Sequence, residues 1–289
     1  MIAVPKARRN SSERSCQTEA EVKAVFLDYD GTVAPLEVPR SESAVSPRNA
    51  QVLHKISQRI PVAIVTTKDL PFVMERTPFA HAWSGLGGLE TKVHGAVIRA
   101  PCLGNPASYV MTALRHVKSV CADGLVVEEK RDSEGVVVAF SVDWRQALNS
   151  REAEEMALDI IAYCRTLPLF TVRNDGQPFF DVFPCPIDKG EAVTRLKRKL
   201  GLHDGVLYMG DSSVDNSAFR AADVAVGVVH EETPDDLACD CLVRFEDVAS
   251  FLECLVGNGL RFSLDFPMIQ RETSTLRRRR RRKAAGKGT

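Results

Sequence analysis

The 289-residue chain has no net charge, no CxxC pair and no apolar run long enough to cross a membrane. The first absence is a balance between two unequal parts. From Arg271 onward there are nine basic residues against one acidic residue, Glu272, so the remainder carries a deficit near −8. The missing CxxC, together with the lack of a second pair near Cys239-x-Cys241, argues against a zinc finger. The eight cysteines therefore read as reduced thiols of a cytosolic protein, several of them buried. Met1 to Glu19 lacks the apolar core of a signal peptide, and residues 1–20 read as a flexible arm. These features predict a cytoplasmic protein with no membrane partner. Residues 271–289, with the run Arg277–Arg282, have no apolar periodicity and are expected to be disordered. Such a tail could touch nucleic acid or an anionic surface. The lack of interleaved aromatics favours a solvated tail without a specific partner.

What is present is an ordinary globular core, with 44% hydrophobic residues. The apolar stretch from Val22 to Leu27 lacks polar alternation, as a strand buried on both faces does. It ends in Asp28-Tyr29-Asp30-Gly31-Thr32. In extended chain, residues two apart face the same side, so Asp28 and Asp30 can reach one reacting group. Carboxylates placed so close repel, and a metal ion or a lysine must hold them. An aspartate-rich turn of this kind also occurs in calcium loops, so the rest of the chain decides its meaning.

Strand and helix signals alternate after it. Ser46-Pro47 predicts a helix start, Val62–Val65 a second buried strand ending in Thr66-Thr67-Lys68, and Asp69–Arg76 a short helix. A third short strand is expected near Ala82-Trp83. Between about 101 and 184 the pattern becomes helix, strand pair, helix, strand pair, with Asn174-Asp175-Gly176 as a hairpin turn. The first pattern then returns. A helix begins at Lys189, a strand over Val206–Met209 ends in Gly210-Asp211-Ser212-Ser213-Val214-Asp215, and Glu246–Val256 closes the series as a helix. The expected architecture is α/β. A doubly wound parallel sheet over 21–100 and 185–265 carries an αββαββ insert over 101–184.

In such a sheet ligands bind beyond the carboxyl ends of the strands. Asp28, Asp30, Thr66, Lys189, Asp211 and Asp215 all fall at those ends or at the helix starts beside them. Four carboxylates, an amine and a hydroxyl are the groups that phosphoryl transfer with a divalent ion requires. Each has a plainer explanation alone, Thr66 as a helix cap and Asp215 as a first-turn acid. A lysine opening a helix, however, opposes the dipole.

This set of four motifs resembles the haloacid dehalogenase superfamily of phosphohydrolases, and the insert resembles its type-two cap. Finer features are similar to the trehalose-6-phosphate phosphatase family. They are Leu27-Asp28-Tyr29-Asp30-Gly31-Thr32 with Pro35, Asp188-Lys189-Gly190-x-Ala192-Val193, and Asp215 followed by Ala218-Phe219. The resemblance spans about residues 22 to 256. It implies Asp28 as nucleophile and Asp30 as general acid and base. Asp28, Gly31, Thr66, Thr67 and Lys189 would lie around the phosphate. Mg²⁺ would sit between Asp28, the Asp30 carbonyl, Asp211 and Asp215, the last either direct or in support. Glu128 and Lys130 resemble the family's Glu-x-Lys, which contacts the sugar; otherwise they are an exposed charged strand edge. The implied reaction is hydrolysis of a sugar phosphate, trehalose 6-phosphate foremost.

Three departures leave other substrates open. Ser212 stands where the family has a second acid, as in sucrose-phosphate phosphatases and the Cof-type group. Thr66-Thr67-Lys68 replaces Ser-Gly-Arg, and Gly85-Leu86-Gly87-Gly88 replaces Gly-Ser-His-Gly. A phosphatase for another sugar phosphate or phosphoglycerate is the alternative within enzymes. A binding protein that kept the fold without catalysis is the alternative outside them.

Overall fold

The computed structural model describes residues 19–266 and 268, apart from 105–106, 122–123, 174–176 and 231–235. The expected Asn174-Asp175-Gly176 turn and the arginine-rich tail lie outside the described residues.

The chain begins with β1 (Glu19–Glu21) and the fully buried β2 (Ala24–Leu27), followed by α1 (Pro47–Ser57), β3 (Val62–Val65), α2 (Leu70–Arg76) and β4 (Ala82–Gly85). Two strands the sequence did not announce come next, β5 (Glu90–Val93) and β6 (Ala96–Arg99). The insert contains α3 (Ala107–Val120), β7 (Val126–Arg131), β8 (Val137–Asp143), α4 (Ser150–Cys164), β9 (Phe170–Val172) and β10 (Phe179–Phe183). The first pattern resumes with α5 (Lys189–Lys199), β11 (Val206–Gly210), α6 (Asn216–Ala221), β12 (Val224–Val229), β13 (Cys241–Arg244), α7 (Val248–Gly257) and β14 (Arg261–Ser263).

The main sheet runs β13-β12-β11-β2-β3-β4-β5-β6. It is parallel from β13 to β4, and β5 and β6 continue it antiparallel at one edge. The sheet is thus mostly rather than wholly parallel. The short sequence between β5 and β6 permits only a hairpin, since a parallel return needs a crossover of a dozen residues or more. The expected arm over 1–20 also gives way at Glu19, which pairs with Ser263 of β14.

Alternation along β2 explains its full burial. Val25 and Leu27 enter one apolar layer with Val52, Leu53 and Ile56 of α1 and Phe251, Leu252 and Leu255 of α7. Ala24 and Phe26 enter the opposite layer with Val193 and Leu196 of α5 and Phe219 of α6. Both faces being covered, the polar groups that follow the strand emerge only at its carboxyl end.

The insert forms its own antiparallel sheet, β7-β8-β10-β9, backed by α3 and α4 over a separate apolar core that includes Phe140, Trp144, Ile160 and Phe180. The expected αββαββ order is present. A smaller cluster, with Leu86 and Leu89 from the core and Val138, Ala139 and Phe183 from the insert, joins the two units. Polar contacts fix the same approach. Glu90, fully buried, accepts from the Ser133 amide and hydroxyl, and Arg99 pairs with Asp132.

The structure also joins Cys102 and Cys185 in a disulfide. The expectation that all eight cysteines are reduced thiols is therefore corrected for this pair. Their sequence separation of 83 residues hid a proximity that the fold creates. No helix among the described residues is long and apolar enough to cross a membrane.

Candidate active site

β2, held in register between β11 and β3, delivers Asp28 to the sheet's carboxyl edge, where its amide donates to the Met209 carbonyl at 2.8 Å. The chain then turns through Gly31, whose φ of +71° is left-handed. Any side chain at Gly31 would also overlap the Asp211 carboxylate, so glycine is required twice at this position. Gly31, expected to lie around the phosphate, has its amide donating to the Ala34 carbonyl at 2.8 Å, which closes the turn.

Asp188 caps α5 by accepting from the Gly190 and Glu191 amides, and Lys189 follows in the first turn with its ammonium directed inward. Gly190 has no side chain because the Ser217 carbonyl of the neighbouring α6 lies against it. Lys189 Nζ lies 2.9 Å from Asp28 Oδ2 and 2.7 Å from Asp215 Oδ1. Asp215 is fully buried and heavily engaged. Its Oδ1 also accepts from Tyr208 at 2.6 Å, while its Oδ2 accepts from the Asp211 and Ser212 amides and the Ser212 hydroxyl. This carboxylate anchors the lysine and the β11 loop.

Asp28, Asp211 and Asp215 each offer a carboxylate oxygen, and these oxygens lie within 4.8 Å of one another. Three carboxylates with one ammonium leave excess negative charge in a desolvated place. Burial first, then the charge of Asp215, pushes Asp28 up to about 7 against the pull of Lys189. Burial and the charges of Asp28 and Asp215 hold Asp211 well above the usual carboxylate range. Burial works against the Lys189 ammonium, but Asp215 and Asp28 outweigh it and hold its pKa above the ordinary value. A hard divalent cation fits this donor set, because it supplies the missing positive charge to oxygen ligands.

The sign of these shifts yields a test. Carboxyls raised in the folded state bind more protons there than in the unfolded chain, so metal-free stability should fall as pH rises from about 4 through about 7. The expected loss between pH 5 and 8 is on the order of 1–3 kcal/mol, and both added Mg²⁺ and Asp211→Asn should remove much of it. Urea denaturation in chelator, at both pH values, measures this. Identical pH slopes for the wild type and Asp211→Asn would refute the charge conflict.

The other groups surround a cavity of about 1450 Å³ between core and insert. Thr66 and Thr67 line it at the end of β3. Asp30 lines it too, accepting from the Ser43 hydroxyl at 3.1 Å with Lys68 at 3.5 Å. From the insert come Glu128 and Lys130, two residues apart on β7. Lys130 is only 2% exposed and lies 2.6 Å from Asp181, so it is no exposed strand edge. Its ammonium also donates to the Thr67 carbonyl at 3.1 Å, bridging insert and core. Glu128 pairs with Arg40 and lies 3.7 Å from Lys68, and the cations Lys68, Lys130 and Arg40 outweigh burial to hold its carboxyl below the usual value.

Residues that sequence reasoning passed over complete the wall. Arg40 spans the units, pairing with Glu128 and, through both oxygens, with Asp69 at 2.8 and 2.9 Å. Asp69 also caps α2 and accepts the Arg131 amide of the insert at 3.0 Å. Arg145 pairs with Asp143 at 2.8 Å. Asp181 carried a legible signal, a lone acid in the apolar run Phe179–Phe183, whereas Arg40 sits in a loop without pattern.

No family model matches the sequence. The chain is 24% identical over 254 residues to a probable trehalose-phosphate phosphatase of Arabidopsis thaliana, covering 80% of this chain and 67% of that protein. It is 26% identical over 251 residues to the trehalose-phosphate phosphatase of Mycobacterium tuberculosis, covering 81% and 60%. It thus spans about two thirds or less of these relatives' length. Among solved structures, the C-terminal domain of the Candida albicans trehalose-6-phosphate phosphatase superposes with a TM-score of 0.69 at 17% identity, covering 82% of this chain and 93% of that one. A sugar phosphatase of haloacid dehalogenase subclass IIB superposes with 0.56 at 15% identity, covering 83% and 100%. The fold is therefore that of the haloacid dehalogenase phosphatases with a cap, as the motifs implied.

Proposed function

We propose that the protein is a Mg²⁺-dependent phosphatase that hydrolyses a sugar phosphate, with trehalose 6-phosphate as the preferred substrate. The observation that carries this reading is the clustering of Asp28, Lys189, Asp211 and Asp215 beneath a lid whose polar residues enter the same cavity. The similarity to trehalose-phosphate phosphatases supports the choice of sugar.

In this reading Asp28 attacks phosphorus and becomes an aspartyl phosphate, splitting one hard displacement into two easier ones. Asp30 gives a proton to the departing sugar oxygen. It then takes one from the water that hydrolyses the intermediate. Lys189 and the Thr66 hydroxyl steady the phosphoryl oxygens, with Thr67 beside them. Asp28, the Asp30 carbonyl and Asp211 would hold Mg²⁺, with Asp215 supporting them. When bound there, the ion would neutralise phosphate charge and lower the proton affinity of the Asp28 carboxylate.

The charge pattern of the wall favours a neutral sugar over phosphoglycerate. Arg40, Lys68, Lys130 and Arg145 each face a carboxylate already, among the described residues. A second acid on the substrate would have to compete with the carboxylates that these four cations already face, whereas hydroxyls can both donate to and accept from such pairs.

Turnover of a panel of phosphate esters with Mg²⁺ tests the reading. Trehalose 6-phosphate should exceed phosphoglycerate and a small aryl phosphate by at least about tenfold in kcat/KM, or 1.4 kcal/mol. Preference for another sugar phosphate by that margin would end the trehalose assignment and leave the phosphatase.

Glu128→Gln probes the lid. Lys130→Ala is a poor probe, because it strands the buried Asp181. Glu128→Gln should cost roughly 1.5–3 kcal/mol, about tenfold to a hundredfold in kcat/KM for trehalose 6-phosphate. The aryl phosphate should be almost unaffected, and equal losses on both would place Glu128 in lid closure rather than sugar contact.

A further inference from the structure

Among the described residues the chain crosses between core and lid twice, after β6 and after β10. Cys102 lies in the short helical turn Pro101–Gly104 at the first crossing, and Cys185 follows β10 at the second. Their disulfide brings the two crossings to a Cα–Cα distance of 6.4 Å. Both cysteines are half-buried, so a small thiol can reach them, whereas Cys164, Cys239 and Cys241 are buried.

We propose that the Cys102–Cys185 disulfide is a reversible clamp on the two linkers, so that the redox state of this pair sets how freely the lid opens.

The other ties between lid and core differ in kind. Beside the apolar cluster of Leu86, Leu89, Val138, Ala139 and Phe183, the ties are polar contacts: Glu90 with Ser133, Arg99 with Asp132, Asp69 with the Arg131 amide and Lys130 with the Thr67 carbonyl. Water can replace each of them as the lid lifts, but it cannot replace a covalent bond. A lid that swings must bend both linkers, and two strands of backbone fused at one point lose their independent rotations. Lid motions of this kind limit turnover in many enzymes through substrate entry and product release.

The chemistry balances with a disulfide as the oxidant. Two thiols lose two protons and two electrons to an external disulfide of the glutathione type, which leaves as two thiols. The protein keeps one S–S bond. A dithiol reductant reverses the step through a mixed disulfide.

The inference rests on the proposed function only for its activity readout, so the test has two arms on the full chain. Hydrogen–deuterium exchange is compared for the linker amides of Ala100, Cys102, Leu103, Gly104, Cys185 and Ile187 after glutathione disulfide and after dithiothreitol. Reduction should speed exchange there by tenfold or more. Turnover of trehalose 6-phosphate should rise at least threefold on reduction. Cys102→Ser and Cys185→Ser should both match the reduced enzyme and ignore the reagent. The same linker exchange in both redox states overturns the clamp, as does a serine variant that still responds. In an enzyme that turns over phosphate esters, equal kcat in the two states overturns it as well. Should no ester be hydrolysed in either state while exchange still responds, the proposed function fails and the clamp stands.

Discussion

Replacing Asp28 by Asn should leave a folded protein with turnover reduced on the order of a thousandfold or more, because an amide cannot act as the nucleophile. The fold should survive for a reason visible in the charges. Asp28 is one of three carboxylates around a single ammonium, and Asp215 still neutralises Lys189 when Asp28 is gone. The substitution removes a repulsion that pushes Asp211 upward, so metal-free stability at pH 8 should hold or increase. Steady-state turnover and urea denaturation of the same preparation check both halves. Near-normal kcat would rule out Asp28 as the nucleophile. Lost turnover with a large loss of stability would make the residue structural.

Lys189→Met should do the opposite to stability and the same to activity. The ammonium is 2% exposed and stands between Asp28 and Asp215. Removing one partner of a buried ion pair leaves uncompensated charge, at a cost of roughly 3–5 kcal/mol. Without the lysine, the neighbouring carboxyls are pushed upward in the folded state while the unfolded values stay ordinary. The deficit should therefore be greatest near pH 8 and shrink toward pH 5, as the raised carboxyls take up protons. Combining Lys189→Met with Asp28→Asn should recover part of the stability but none of the activity, since contacting groups do not act additively. A single Lys189→Met variant with wild-type stability at pH 8 would mean that the ammonium does not compensate these carboxylates.

Much of this arrangement was legible because its signals are local. The apolar run ending in Asp28-x-Asp30, the helix opening at Lys189 and the Gly210–Asp215 loop each announce a strand end or a helix start within a few residues. The shift to paired strands with backing helices likewise foretold the lid's αββαββ order. What stayed hidden depends on partners far away in the chain. Nothing around Lys130 shows that Asp181 will neutralise it, and nothing around Cys102 points to Cys185. Strands β5 and β6 escaped because four-residue segments of mixed polarity become strands only when a sheet edge waits beside them. Gly31 was legible as a turn, but its nearness to Asp211 depends on β2 and β11 lying side by side.

The narrow gap between the lid's two attachment points bears on how such a protein can be assembled over evolutionary time. At 6.4 Å, the Cα atoms of Cys102 and Cys185 are no farther apart than the ends of a four-residue β-turn, which spans up to about 7 Å. A core that once closed with such a turn could receive a whole domain there without moving β6 and α5 on either side. The same geometry allows one lid to be exchanged for another as a cassette. Selection on the choice of substrate can then proceed in a module whose sequence drifts independently of the aspartates beneath it.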